Sequence, residues 1–348
     1  MGAACGPVYG QAEAARKNVL SDKSAAYFNY AMGHLYADLG ATYNNRAEYL
    51  NKAIEYYRQA MKEDPAAGFL GEELSDLYIQ TGRLREAVKE AEDALKANPN
   101  DLTARRILGR ISARLIGDPQ QRGMNQRMLE QATEHYKKIT ELEPGDTEAW
   151  LMLGRLHKMA QNSVESKKAY EQVLKAEPDN MDAMGGLAMV LADVGDAAGA
   201  AELLKKLADK SPNLRTLTQL AATYEQMREY KLAGQTLKRA VDLQPENNEL
   251  RREYANLLMQ AEDYEAALAA YEEVVKGEAR DAGSWLRISQ LNMQLGRTEK
   301  AWEAHKKASE LESGNIEIRY NAVGLYEAQD KLPEAISALK EVLGDSSM

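Results

Sequence analysis

Apolar positions along the chain recur at helical spacing and in pairs. Two apolar faces are split by a short polar turn such as Thr81-Gly82-Arg83 or Leu295-Gly296-Arg297. Apolar residues three and four apart predict amphipathic helices, and a polar turn between two of them predicts an antiparallel hairpin. The hairpin then repeats. Prolines fall at 65, 99, 144, 178, 212 and 245, and twelve residues before each stands a small residue: Ala53, Ala87, Ala132, Ser166, Ala200 and Ala233. The frame runs on without proline through Ala267, Ala301 and Ala335.

A second small column lies twelve residues further back, at Ser75, Gly154, Ala188, Ala221, Ala255 and Ser289, with Gly33 and Gly109 in two longer units. Large apolar residues precede it: Met32, Leu74, Leu108, Leu153, Leu187, Leu220, Tyr254 and Ile288. Aromatics follow three residues later at Tyr36, Tyr78, Tyr224 and Tyr326. Small residues at fixed sites let two helices cross closely, and large ones fill the space between neighbouring pairs. The prolines reset the chain before each new helix. One pair cannot bury its own apolar face, so the units must stack.

Composition narrows the function. The chain has 348 residues, 28% of them charged, and a net charge of −10. Its mean hydropathy is −0.55, and it holds no long apolar run, so a membrane span is not expected. The acidic balance argues against nucleic-acid binding, which draws on excess Lys and Arg. One cysteine and four histidines, at 34, 135, 157 and 305, leave little for a metal centre or a disulfide framework. No phosphate-cradling glycine loop, nucleophile elbow or zinc-protease motif is present. No cofactor and no catalysis are expected.

The two columns, with Trp150, Leu153, Gly154, Tyr170 and Pro178 in the best matching unit, resemble the tetratricopeptide repeat family. The resemblance covers about residues 26–348. It implies an all-α, right-handed superhelical solenoid of antiparallel helix pairs, whose first helices line a groove that usually holds a peptide or partner segment. Nine units are expected, at 26–67, 68–101, 102–146, 147–180, 181–213, 214–247, 248–281, 282–315 and 316–348, after a tail of residues 1–25 in which Gln11–Leu20 could form a short capping helix. Extra residues around Gly40–Asn51 and Gly117–Arg127 are expected in the turns between first and second helices. They are either neutral surface variation or a secondary contact site.

In that frame the groove-facing positions include an acidic stretch in the second unit, at Glu72, Glu73 and Asp76 beside Phe69, Ile79 and Gln80. Next comes a basic stripe, Arg106, Arg110 and Arg114, followed by Met152, Arg155, Lys158 and Met159, and then Gly185, Gly186 and Met189. Arginines four apart form one ridge, methionines adapt to varied apolar partners, and glycines open space. The expected ligand is a peptide or segment of another protein with acidic complementarity. The competing reading pairs the arginines with acids on adjacent helices and places the methionines in the core. A Lys/Asn clamp of the kind that reads chaperone C-termini is matched only by Arg252 and Asn256; Arg287, Glu317 and Asn321 depart from it. A chaperone adaptor, an oligomeric spacer and the interaction part of a larger protein are the alternatives. The last unit leaves Ile336, Leu339 and Val342 without a covering helix, which suggests self-association or a docked partner. The compartment stays open: the chain as it stands fits the cytoplasm, whereas Cys5 near the start would fit a periplasmic protein or lipoprotein with a longer leader.

Overall fold

The computed structural model describes residues 8–43, 46–64, 70–117 and 125–345. Among the described residues it contains eighteen α-helices and no strand. The chain forms two compact bodies, residues 1–186 and 187–348. The first holds α1 (Val8–Thr42), α2 (Arg46–Glu63), α3 (Leu70–Thr81), α4 (Leu84–Ala97), α5 (Leu102–Leu115), α6 (Gln126–Leu142), α7 (Thr147–Met159) and α8 (Ser163–Ala176). Helix α9 (Met181–Asp193) carries the division. The second holds α10 (Ala197–Lys210), α11 (Leu214–Gln226), α12 (Tyr230–Leu243), α13 (Asn248–Gln260), α14 (Tyr264–Gly277), α15 (Ala282–Gln294), α16 (Thr298–Leu311), α17 (Ile316–Glu327) and α18 (Leu332–Asp345). Each body is a stack of helical hairpins, and the fold is a helical repeat solenoid.

Local chemistry sets the helix ends. Side chains of Asp101, Asp146, Asn162, Asp196, Asn213, Asn247, Asp263 and Asp281 cap backbone amides of the first turn. In seven of the hairpins the turn places one residue in the left-handed region. Gly82, Gly195 and Gly296 supply it at φ of 70, 83 and 71°, and Gln161, Arg228, Glu262 and Asp330 adopt it at 57, 61, 60 and 56°. The proline column is tied down as well. Arg105 donates to the Pro99 carbonyl and Trp150 Nε1 to that of Pro144, at 2.9 Å for the tryptophan.

Packing inside the hairpins explains the small columns. Tyr57, Tyr136 and Tyr170, all fully buried, stand on second helices against Gly33, Gly109 and Gly154 on the first. A β-carbon on Gly154 would lie 2.7 Å from Tyr170 Cε1, and one on Gly33 2.3 Å from Tyr57 Cδ1. Burying such a ring contributes several kcal/mol, of order 25 cal/mol per Å² of apolar surface. Ala91 occupies the corresponding site on α4. Without a ring there, a cleft of about 760 Å³ opens along Arg58, Met61, Leu74, Ala91, Leu102 and Ile107.

Two expectations about chain segments change. The stretch before residue 26 is not a separate short helix, because α1 runs unbroken from Val8 to Thr42. From Val8 to Thr42 there is no proline, and alanines carry the helix through. The extra residues near Gly40–Asn51 mostly lengthen helices: α1 reaches Thr42 and α2 already begins at Arg46. In the second long turn Asn125 caps α6, so Gln126 and Arg127 are helical. Residues 118–124, Phe69 and Cys5 lie outside the described residues.

Candidate partner-binding faces

Four first helices of the N-terminal body, α3, α5, α7 and the start of α9, carry the residues singled out from the sequence. Arg106, in the middle of α5, is buried. Its guanidinium lies 2.5 Å from Asp146, 3.3 Å from Glu72 and 3.3 Å from Glu143. Asp146 also caps α7 through the Ala149 amide, so one carboxylate fixes both a helix start and a cation. Arg110 holds Asp76 at 2.6 Å and Glu72 at 3.2 Å. The Glu72–Arg106 and Asp76–Arg110 pairs join residues at the same place in consecutive repeats, and they engage two acids of the acidic stretch with two arginines of the basic ridge. A guanidinium this deep costs several kcal/mol to desolvate unless it is paired on several sides. Arg106 and Arg110 therefore set the spacing of α3, α5 and α7.

The Glu72 carboxyl is pushed up to about 8, by burial first and then by a hydrogen bond with Glu148; the two arginines oppose this. The Tyr136 hydroxyl, buried beside the same groups and with no hydrogen-bond partner, is held above its ordinary range by burial first and then by Glu72. Further along, the arrangement opens. Arg114 and Arg155 are exposed, and Arg155 reaches Asp182 at 2.7 Å across solvent. Met159 is exposed, and Met152 and Lys158 are half-buried.

Gly186 does not open the space expected of it. A β-carbon on Gly186 would lie 2.3 Å from Tyr170 Cζ, so the ring of the preceding repeat fills that site. Gly185 is half-buried beside it, and Met189 is half-buried in the C-terminal body. The structure thus brings Arg106, Arg110 and Gly186 into internal packing. It leaves Arg114, Met152, Arg155, Lys158 and Met159 within reach of a ligand.

The C-terminal body holds a face that the sequence reading did not single out. A cleft of about 540 Å³ runs between α11, α13 and α15, lined by Thr218, Ala222, Glu225, Glu253, Met259 and Gln260 among others. A second, of about 570 Å³, continues past Met259 to Met293, Tyr320, Gly324 and Glu327. Tyr320 is exposed. Half-buried Met259, Met293 and Gly324 line the clefts, and exposed Tyr320, Glu225, Glu253 and Glu327 stand at their edges. Glu253 is pushed above the usual carboxyl range, by burial first and then by Glu249 and Glu225. Arg287, the cation lining the first cleft, is engaged by Glu317 at 3.4 Å. The sequence signal was present: Met259 and Met293 are 34 residues apart in the repeat frame.

The residues matching a chaperone clamp are committed elsewhere. Arg252 is held by Glu278 at 2.7 Å and Asp281 at 3.0 Å, and Asn256 accepts a hydrogen bond from the Tyr271 hydroxyl at 2.6 Å. His305 is buried, and its Nδ1 lies 3.4 Å from the Asn321 amide nitrogen, which donates to Ser289 Oγ at 2.8 Å. Burial holds this imidazole below its usual range. Among the described residues no group of three or more His, Cys, Asp or Glu could hold a metal ion. No described helix is long and apolar enough to cross a membrane.

With the small-residue columns explained by hairpin packing, the class of protein follows: a helical repeat solenoid with open clefts along its first helices. The chain belongs to the tetratricopeptide repeat family, whose models match residues 47–111, 118–280 and 255–311. It is 23% identical over 207 residues to a peroxisomal targeting signal receptor of Saccharomyces cerevisiae, covering 57% of this chain and 34% of that protein. It is 28% identical over 262 residues to the BBSome complex member BBS4 of Bos taurus, covering 64% and 48%. The chain thus spans a third to a half of the curated relatives it matches. Among solved structures, the tetratricopeptide repeat protein YrrB, described as having an unusual peptide-binding site, is 19% identical with a TM-score of 0.43, covering 54% of this chain and 97% of that one. A MamA protein is 22% identical with a TM-score of 0.40, covering 48% and 92%. These structural likenesses concern the fold.

Proposed function

We propose that the chain is a non-catalytic interaction scaffold. It holds a segment of another protein against the first-helix face of its C-terminal body, and the segment carries apolar anchors and positive charge. The observation that carries this reading is the pair of adjoining clefts lined by half-buried Met259, Met293 and Gly324 and edged by exposed Tyr320, Glu225, Glu253 and Glu327. Membership of this repeat family supports the scaffold role, as do relatives named as a receptor and as a member of a protein complex.

Magnitudes assign the parts. One buried apolar anchor is worth about 1.5–3 kcal/mol, whereas one exposed ion pair is worth roughly 0–1. The methionine floor supplies affinity and the acidic rim selects the sign of the partner's charge. In the N-terminal body, Met152, Arg155, Lys158, Met159 and Arg114 offer a second contact stretch of opposite sign; the exposure of Met159 favours it.

The test is fluorescence anisotropy with a panel of labelled peptides that share Leu and Met anchors and differ only in net charge. Cationic peptides should bind most tightly. Met293→Glu should abolish binding, and Glu253→Lys with Glu327→Lys should reverse the charge preference. Binding that is indifferent to charge and to these variants contradicts the reading.

A further inference from the structure

One column of the second helices is bulky in every repeat but the second. Buried tyrosines hold it at Tyr57, Tyr136, Tyr170 and Tyr271, and buried leucines at Leu204 and Leu237. The second repeat has Ala91 there. In the fourth repeat the Tyr170 ring lies against Gly154 of its own first helix and Gly186 of the next. The positions that correspond around Ala91 are Ser75 and Ile107. Ile107 takes up part of the ring's place, and the rest is the cleft of about 760 Å³ that Ala91, Ile107, Leu74 and Ala94 line together. The ring that this repeat does carry, Tyr78, donates its hydroxyl to Glu90 and is not among the residues lining the cleft.

An apolar cavity left where a large side chain is missing takes up an aromatic ring from solution. A pocket of this size takes more than a single ring, so a ring can enter with chain on either side of it. The charges around the mouth set the sign of that chain. Glu90 is engaged by Arg58, Glu143 by Arg106, and Asp101 caps α5 through the Ala104 amide. Lys62, also at the mouth, is exposed and engaged by no carboxylate among the described residues. The unmatched charge is positive and calls for an acidic neighbour to the ring.

We infer that this cleft is a docking socket for an aromatic residue of another protein, which supplies the ring missing at Ala91 and sets an acidic residue beside it against Lys62. The socket belongs to the N-terminal body and takes a segment opposite in charge to the one assigned to the C-terminal clefts, so the two sites are read separately.

Fluorescence anisotropy of the whole chain with labelled pentapeptides tests it. The peptides carry a central tyrosine or alanine between two aspartates or two lysines. Tyrosine should bind about tenfold or more tighter than alanine, the effect of burying one ring, and aspartate flanks should be preferred. Ala91→Tyr should fill the cleft from within and abolish binding while the circular dichroism spectrum keeps its helicity. Ala94→Leu, a milder change in the same wall, should weaken binding. Lys62→Glu should remove the preference for aspartate flanks. No binding of the tyrosine peptide, or binding indifferent to both alanine variants, overturns the inference. An unchanged flank preference in Lys62→Glu overturns the part given to that cation. Binding of 4-methylphenol as tight as that of the peptide would assign the cleft to a free aromatic molecule, and binding seen only after Phe69→Ala would show that the chain occupies the cleft itself; either result overturns the docking.

Discussion

The Tyr170 ring packs onto the backbone of Gly186, close enough that a β-carbon there would overlap Cζ at 2.3 Å. The same ring covers Gly154 in its own repeat, so it joins the first helices of two successive repeats. Outside such a contact, Gly→Ala in a helix interior gains about 1 kcal/mol. Here the overlap with a fully packed ring reverses the sign, and Gly186→Ala should destabilise by about 1–3 kcal/mol. Equilibrium denaturation measures it; a stabilised variant would remove the contact from the account. Ala200→Leu, at a fully buried helix crossing, should cost a similar amount, and Lys205→Ala on the surface close to nothing.

The left-handed residues in the hairpin turns yield a prediction of opposite sign. Gln161, Arg228, Glu262 and Asp330 hold the conformation that Gly82, Gly195 and Gly296 hold in their own turns. A non-glycine residue there costs about 1–2 kcal/mol, less the entropy that glycine would lose. Each of Gln161→Gly, Arg228→Gly and Glu262→Gly should leave stability unchanged or raise it by up to about 1 kcal/mol, and Gly195→Ala should lower it. Thermal melts of the four variants decide the point, and a uniform loss in the glycine variants would contradict it.

Arg106 and Arg155 sit on the same face of neighbouring first helices but in different surroundings. Arg106→Ala strands buried Glu72 and Asp146 and should cost about 3–5 kcal/mol. Arg155→Ala breaks an exposed pair with Asp182 and should cost no more than about 1 kcal/mol. Urea titration of both variants gives the comparison. Equal losses would mean that the depth of the pair plays no part.

Stability should also carry the signature of the Glu72–Glu148 contact. Glu72 is shifted from 4.5 up to about 8, so the folded chain holds a proton that the unfolded chain releases across that interval. Stability from this group is fully present below about pH 4.5 and is lost as pH rises through about 8. Its slope is at most about 1.4 kcal/mol per pH unit. Glu72→Gln should flatten the decline between pH 5 and 8 relative to the unaltered chain, as followed by urea denaturation at each pH. Parallel curves for the two proteins would contradict the shared proton.

How far the fold could be read in advance follows from its repetition. Any column that recurs nine times, such as Ala53 through Ala335, announces itself even where single residues drift. Side-chain partnerships recur less often and were harder to see. Glu72 with Arg106, and Asp76 with Arg110, are each 34 residues apart, which is one repeat; an opposite charge in the same column of the next repeat was the available sign that the basic ridge is internally neutralised. Gly186 looked like open space because its own repeat gives no hint of Tyr170, which comes from the repeat before. The C-terminal clefts escaped notice because their floor is assembled one residue per helix, from Met259, Met293 and Gly324, with no local motif.

Hydrogen exchange by mass spectrometry, with the tightest cationic peptide of the panel bound, addresses the central claim most directly. The account predicts slowed exchange in α13, α15 and α17, with α12, α14 and α16 unchanged. Protection confined to those second helices, or no protection in the C-terminal body at saturating peptide, would contradict it.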